Sequence, residues 1–117
     1  MVTRFSRTPA SIPPDVYRAI ADPTRREILD KLRRGPAPVN ALASEFSQSR
    51  PAISRHLRVL RAARLVGQHR SGRERRYHLE PEPLRSVAQW VEEYRAFWQN
   101  RLTSLKQHLE QEKGGAR

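Results

Sequence analysis

The chain contains no cysteine. That absence excludes disulfides, thiolate-bound metals and thiol redox sensing together. No apolar run in it approaches the roughly 18 residues that a membrane span requires. Residues Met1 to Pro14 are partly basic but lack the apolar stretch of a secretory signal, so a cytoplasmic protein without a membrane partner is expected. Aromatic residues make up 7% of the chain, which leaves few rings for stacking on unpaired bases. Catalytic signatures are missing too: there is no GxSxG, no glycine-rich phosphate loop and no HExxH. His56, His69, His78 and His108 are scattered, and the acids form no evident pair, so an enzyme is not expected.

What the chain has is positive charge. Its 117 residues suit one domain and carry a formal net charge of +11. Such a balance points to an anionic partner, of which nucleic acid is the commonest. The charge is concentrated: nine arginines lie between Arg50 and Arg76 against one acid, Glu74, for a local net of +8.

Hydrophobic spacing divides the chain. Residues 1–13 are polar, with Pro9 and Pro13, and read as a flexible arm. A short helix starts near Asp15, with Val16, Ala19 and Ile20 on one face. Asp22 is a suitable N-cap for a second helix, with Pro23 at its first position. That helix ends at Gly35-Pro36. A third helix is predicted from Val39 to Phe46, followed by the break Ser47-Gln48-Ser49. Ser49 can cap a fourth helix running to about Ala63, with Ile53, Leu57, Leu60 and the stem of Arg64 inward. Two strands, Leu65 to His69 and Arg75 to Leu79, flank a tip at residues 70–74, where Gly72 supplies the turn. A last helix runs from Leu84 to Glu112, and residues 113–117 form a flexible tail.

The predicted fold is therefore mainly α with a small β-hairpin, in the order ααααββα. Two helices across a three-residue turn, followed by a basic hairpin, make the winged helix-turn-helix pattern. Residues 14–112 form that domain. The helix after the turn enters the major groove, and its first residues reach the base edges. Arg50, Ser54 and Arg55 are the candidate base readers. Ser49 and the helix N-terminus can hold a phosphate. Arg58 lies further along, toward the DNA backbone. His56 fits two roles, donor to a phosphate or packing against the preceding helix. Arg70, Arg73 and Arg75 on the wing can clamp phosphates or enter a minor groove.

The last helix carries one long apolar stripe: Leu84, Val87, Val91, Tyr94, Trp98, Leu102, Leu105 and Leu109, widened by Trp90 and Phe97. A helix of this length spans over ~40 Å, more than one small domain covers. The stripe is expected to continue into a homodimer interface formed by Trp90, Tyr94, Trp98, Leu102, Leu105 and Leu109. Dimerisation places two reading helices about one DNA turn apart, which suits a palindromic operator in double-stranded DNA. The alternative from another class is a non-specific basic architectural protein that binds DNA or RNA.

At these residues the sequence resembles the ArsR-type (ArsR/SmtB) superfamily of bacterial winged-helix repressors. The resemblance rests on ADPTRREIL at 21–29, SRPAISRHLRVL at 49–60, ARLV at 63–66 and RERRYHL at 73–79, and covers roughly residues 15–110. It implies that the helix beginning near Ser49 is the recognition helix, and it carries that role to Arg50, Ser54 and Arg55. Glutamine is more usual at the position of Arg50. It also implies a homodimer that represses by covering a promoter, often that of its own gene. Many such proteins sense metals through cysteines, which are absent here. Others use Asp and His pairs on the last helix, where this chain has one imidazole, His108, with Glu112 one turn on. A full zinc site needs three or four protein ligands. No metal and no cofactor are therefore expected, as in the branch without metal-binding cysteines, and the sequence identifies no small-molecule effector.

Overall fold

The computed structural model describes residues 12–115. The arm assigned to residues 1–13 falls mostly outside them, as do Ala116 and Arg117 of the tail. Ile12 already packs against the core, so the folded unit begins before residue 14.

The first helix, α1 (Pro14–Ile20), buries Val16 and Ala19. Helix α2 (Pro23–Leu32) starts as its sequence dictates: the Asp22 carboxylate accepts the Arg25 amide at 3.0 Å, and Pro23 occupies the first turn. It buries Ile28, Leu29 and Leu32. A strand absent from the sequence reading follows, β1 (Ala37–Pro38). Two residues are too few to show an alternating pattern, and this pair adjoins the Gly35-Pro36 break.

Helix α3 (Val39–Ala43) is shorter than the predicted 39–46. The amides of Glu45 and Phe46 reach only three residues back, to Leu42 and Ala43, so the chain tightens out of the α-helix before Phe46. Helix α4 (Arg50–Ala62) is capped by Ser49, whose hydroxyl accepts the Ala52 amide at 3.3 Å. Its inner stripe is Ile53, Leu57 and Leu60, each at most 1% exposed.

Arg64 does not continue that stripe, contrary to expectation. It is exposed and lies past the helix end with φ of 62°. The amide of Leu65 returns to the Leu60 carbonyl at 3.0 Å, closing a helix-terminating turn whose left-handed position usually holds glycine. A side chain there costs about 1–2 kcal/mol. The fully buried Leu65 that follows supplies an offsetting contact.

Strands β2 (Val66–Ser71) and β3 (Glu74–Leu79) pair antiparallel, with Arg70 opposite Arg75 and Ser71 opposite Glu74. The ladder therefore extends into the predicted tip of residues 70–74, and only Gly72-Arg73 turn the corner. Gly72, at φ of +67°, has the conformation that a two-residue hairpin loop demands. Strand β1 adds to the other edge of β3, with Ala37 opposite Tyr77, giving a three-stranded sheet in the order β1-β3-β2.

A single 3-10 turn (Glu82–Leu84) leads into α5 (Arg85–Gly115). Leu84 and Val87 still touch the core. From Trp90 onward the helix leaves it. For this reason the radius of gyration, 20.6 Å, exceeds the value of roughly 13 Å typical of a compact chain of about 100 residues.

Candidate nucleic-acid interface

Helix α4 is amphipathic in the sense its position requires. The burial of Ile53, Leu57 and Leu60 against α1, α2 and α3 turns Arg50, Arg55, Arg58 and Arg61 to solvent. Ser54 lies between, partly covered. The β2–β3 wing stands beside the first turn of this helix. Arg50 and Ser54 from the helix and Arg73, Arg75 and Tyr77 from the wing line one open cleft, floored by Pro38, Val39 and Asn40. Residues far apart in sequence thus share one basic wall. Among the described residues the acid lining it is Glu74, which pairs with Arg76 at 3.3 Å.

The wing arginines differ in restraint. Arg75 donates to the Gln68 side-chain oxygen at 3.2 Å, and Gln68 donates to the Tyr77 hydroxyl at 2.8 Å. This chain of bonds ties Arg75 to the neighbouring strand. Arg73 sits in the turn itself, and Arg70 is exposed one ladder step from it. Tyr77 packs against the core on its ring side. Asn40 and Tyr77 were not among the predicted site residues. Neither carries charge or lies on the fourth helix, and only the cleft marks them.

His56 lies on the side of α4 that faces back into the domain. Its Nδ1 accepts from the Arg25 guanidinium at 3.2 Å, which leaves Nε2–H to donate to the Gln48 side-chain oxygen at 3.1 Å. Gln48 in turn donates to the Thr24 hydroxyl at 2.7 Å. The same Arg25 guanidinium donates to the carbonyls of Ala19 and Arg18, at 2.9 and 2.7 Å, at the end of α1. One arginine therefore ties the first, second and fourth helices together, and Gln48 fastens the turn before α4 to the start of α2. Sequence reasoning missed Arg25 and Gln48 because a charged and an amide side chain read as surface.

Asp22 completes this network, 4.0 Å from His56 Nδ1. Burial works against its charge. The amides of Arg25 and Thr24, with the Arg25 guanidinium and His56 nearby, outweigh that and hold the carboxyl below its ordinary value of 3.8.

Helix α5 presents its stripe to solvent. Trp90, Tyr94 and Trp98 are 40%, 45% and 53% exposed, and Leu102, Leu105 and Leu109 are 64%, 54% and 54% exposed. Trp90 and Tyr94 meet edge to face at 5.3 Å. His108 pairs with Glu112 at 2.8 Å on the same helix.

Comparison with known proteins assigns the fold to a family. Residues 22–67, from the cap of α2 through α4 into the wing, match the family model described as "Bacterial regulatory protein, arsR family". The HTH-type transcriptional regulator Rv2034 of Mycobacterium tuberculosis is 39% identical over 100 residues, 86% of this chain and 91% of that protein. The transcriptional repressor SdpR of Bacillus subtilis is 39% identical over 77 residues, 66% of this chain and 86% of that protein. Among solved structures, an ArsR-like transcriptional regulator from Rhodococcus sp. RHA1 is 39% identical with a TM-score of 0.62, covering 80% of this chain and 88% of that one. The homodimeric winged helix-turn-helix DNA-binding domain of Mb0332 from Mycobacterium bovis is 27% identical with a TM-score of 0.57, covering 70% and 79%. No helix among the described residues is long and apolar enough to cross a membrane. With a capped basic helix, a basic wing and relatives of this closeness, the chain belongs to the ArsR family of bacterial regulatory proteins and is a DNA-binding transcriptional regulator of the winged helix-turn-helix type, not an enzyme.

Proposed function

We propose that two copies of this chain pair through α5 and repress transcription by occupying a palindromic operator, in the cytoplasm, where promoter DNA is found. The observation that carries this reading is the shared basic wall of α4 and the wing. Arg50, Ser54 and Arg55 meet base edges in the major groove, where a guanidinium forks onto guanine. Ser49 and the first amides of α4 receive a phosphate. Arg58 and the wing residues Arg70, Arg73 and Arg75 hold the backbone or the adjacent minor groove. His56 acts inward: its two ring nitrogens are already engaged by Arg25 and Gln48, so it sets the position of the helix rather than touching phosphate. Pairing is supported by the solvent-facing stripe of α5 and by the homodimeric state of the Mb0332 domain. Repression is supported by the naming of SdpR as a repressor. The reading includes no cofactor and no small-molecule effector.

The test is binding to the DNA upstream of the chain's own gene against an unrelated duplex, across a salt series. Preference for the upstream DNA that survives moderate salt supports an operator-specific, self-regulating repressor. Equal affinity for both duplexes, falling steeply with salt, is the behaviour of a non-specific basic binder and overturns self-regulation.

A further inference from the structure

We propose that His69 and His78, on the outer face of the wing, chelate a divalent transition-metal ion, with Glu80 fixing the orientation of His78. None of these three residues takes part in the DNA reading assigned above.

The ladder register creates the pair. His78 lies opposite Gly67 and His69 opposite Arg76, so the two histidines are diagonal neighbours on one face of the hairpin. Val66, Tyr77 and Leu79 point the other way, into the core. The histidine rings lie 5.0 Å apart between centroids, and the two Nδ1 atoms are 2.9 Å apart. His78 Nε2 meets the Glu80 carboxylate at 3.1 Å. A carboxylate only accepts, so Nε2 carries the proton and the lone pair of His78 sits on Nδ1, facing His69. This is the arrangement of a metal-ligating histidine, whose second nitrogen donates to a carboxylate.

A Cβ on Gly67 would lie 2.5 Å from His78 Nε2 and 2.6 Å from the Glu80 carboxylate. In this arrangement the imidazole and its carboxylate lie across strand β2, in space that a side chain at position 67 would share. The neighbouring cation on this face, Arg76, is turned to Glu74. His69 is exposed and His78 about one-third so, which leaves an ion a way in.

With the His78 proton on Nε2, the 2.9 Å contact is a hydrogen bond in which His69 Nδ1–H donates to His78 Nδ1. An ion takes the place of that proton once His69 turns or moves its proton to the other nitrogen, so that both imidazoles offer a lone pair. Imidazole ligands suit Cu(II), Ni(II) and Zn(II), and Cu(II) binds most tightly among divalent first-row ions. No group of three or more His, Cys, Asp or Glu is assembled among the described residues, so water completes the coordination and affinity is modest. The hairpin, not the sequence, makes this site: the two histidines are separated by eight intervening residues, and neither motif nor spacing marks them.

The test is titration of the full chain with Cu(II), followed by calorimetry and by electron paramagnetic resonance of the frozen complex. One ion per chain is expected, with nitrogen hyperfine structure from two imidazoles. His69→Gln and His78→Gln should each weaken binding by at least about tenfold, and Glu80→Gln by about tenfold. His108→Gln should leave the wing signal unchanged. Far-UV circular dichroism establishes that the variants are folded, which is expected because these side chains lie outside the core. Equal Cu(II) affinity in the wild type and the His69→Gln/His78→Gln double variant overturns the proposal, as does loss of the two-imidazole signal in His108→Gln alone.

Discussion

Leu105 gives the sharpest test of pairing through α5, because it lies far from the core of its own chain and is 54% exposed. Leu105→Ala deletes three carbon atoms, each worth about 0.8 kcal/mol when fully buried. In a single chain only about half of that burial is realised, so a partner covering the rest would gain roughly 1.3 kcal/mol per copy. A two-fold interface contains the position twice, making about 2.6 kcal/mol, or roughly 70-fold in the dimer dissociation constant. Sedimentation velocity over a concentration series reads this directly. Leu105→Glu, which sets a carboxylate into the same apolar seam, should leave a monomer at any practical concentration. Far-UV circular dichroism should show both variants still folded, since Leu105 is not part of the monomer core. A dissociation constant unchanged in Leu105→Ala, with a stable Leu105→Glu dimer, would place the interface elsewhere and refute the reasoning.

Four further outcomes are expected. Arg50→Ala or Arg55→Ala should each cost about 1–3 kcal/mol on the cognate operator and relax base preference, whereas Arg73→Ala should weaken all duplexes alike; competition binding on operator variants distinguishes the two. Ile53→Ala, at a position with 0% exposure, should destabilise the fold by about 2–5 kcal/mol in urea unfolding. Asp22→Ala removes the cap of α2 and should cost about 0.5–2 kcal/mol near neutral pH. Because the folded state holds the Asp22 carboxyl below its ordinary 3.8, its stabilisation is fully present above that value and is lost as pH falls below it; the stability gap between wild type and Asp22→Ala, followed by thermal unfolding from neutral pH downward, should narrow only in that acid range.

Much of this protein is legible before its structure. Helix α2 is announced by Asp22-Pro23, and α4 by Ser49 and Pro51, because caps act through bonds within a few residues. The inner stripe Ile53, Leu57 and Leu60 follows from helical periodicity, and the remaining positions then place Arg50, Arg55 and Arg58 outside. The apolar face of α5 is likewise a matter of spacing. These features are local, and local sequence determines them.

The tertiary structure decided what depends on distant residues meeting. Strand β1 exists only because Ala37 and Pro38 lie against the free edge of β3. Arg64 takes a left-handed conformation that its own chemistry disfavours, because the chain must turn to bury Leu65. Arg25, which reads as surface charge, joins three helices because the carbonyls at the end of α1 and the ring of His56 converge on it. His69 and His78 meet only through the hairpin register. The sequence by itself determined the helices, their inward faces and the sign of the charge, since each arises from neighbours along the chain. That the arginines of α4 and of the wing line one cleft, and which polar groups face one another, waited for the fold, because those contacts are set by packing between elements rather than within them.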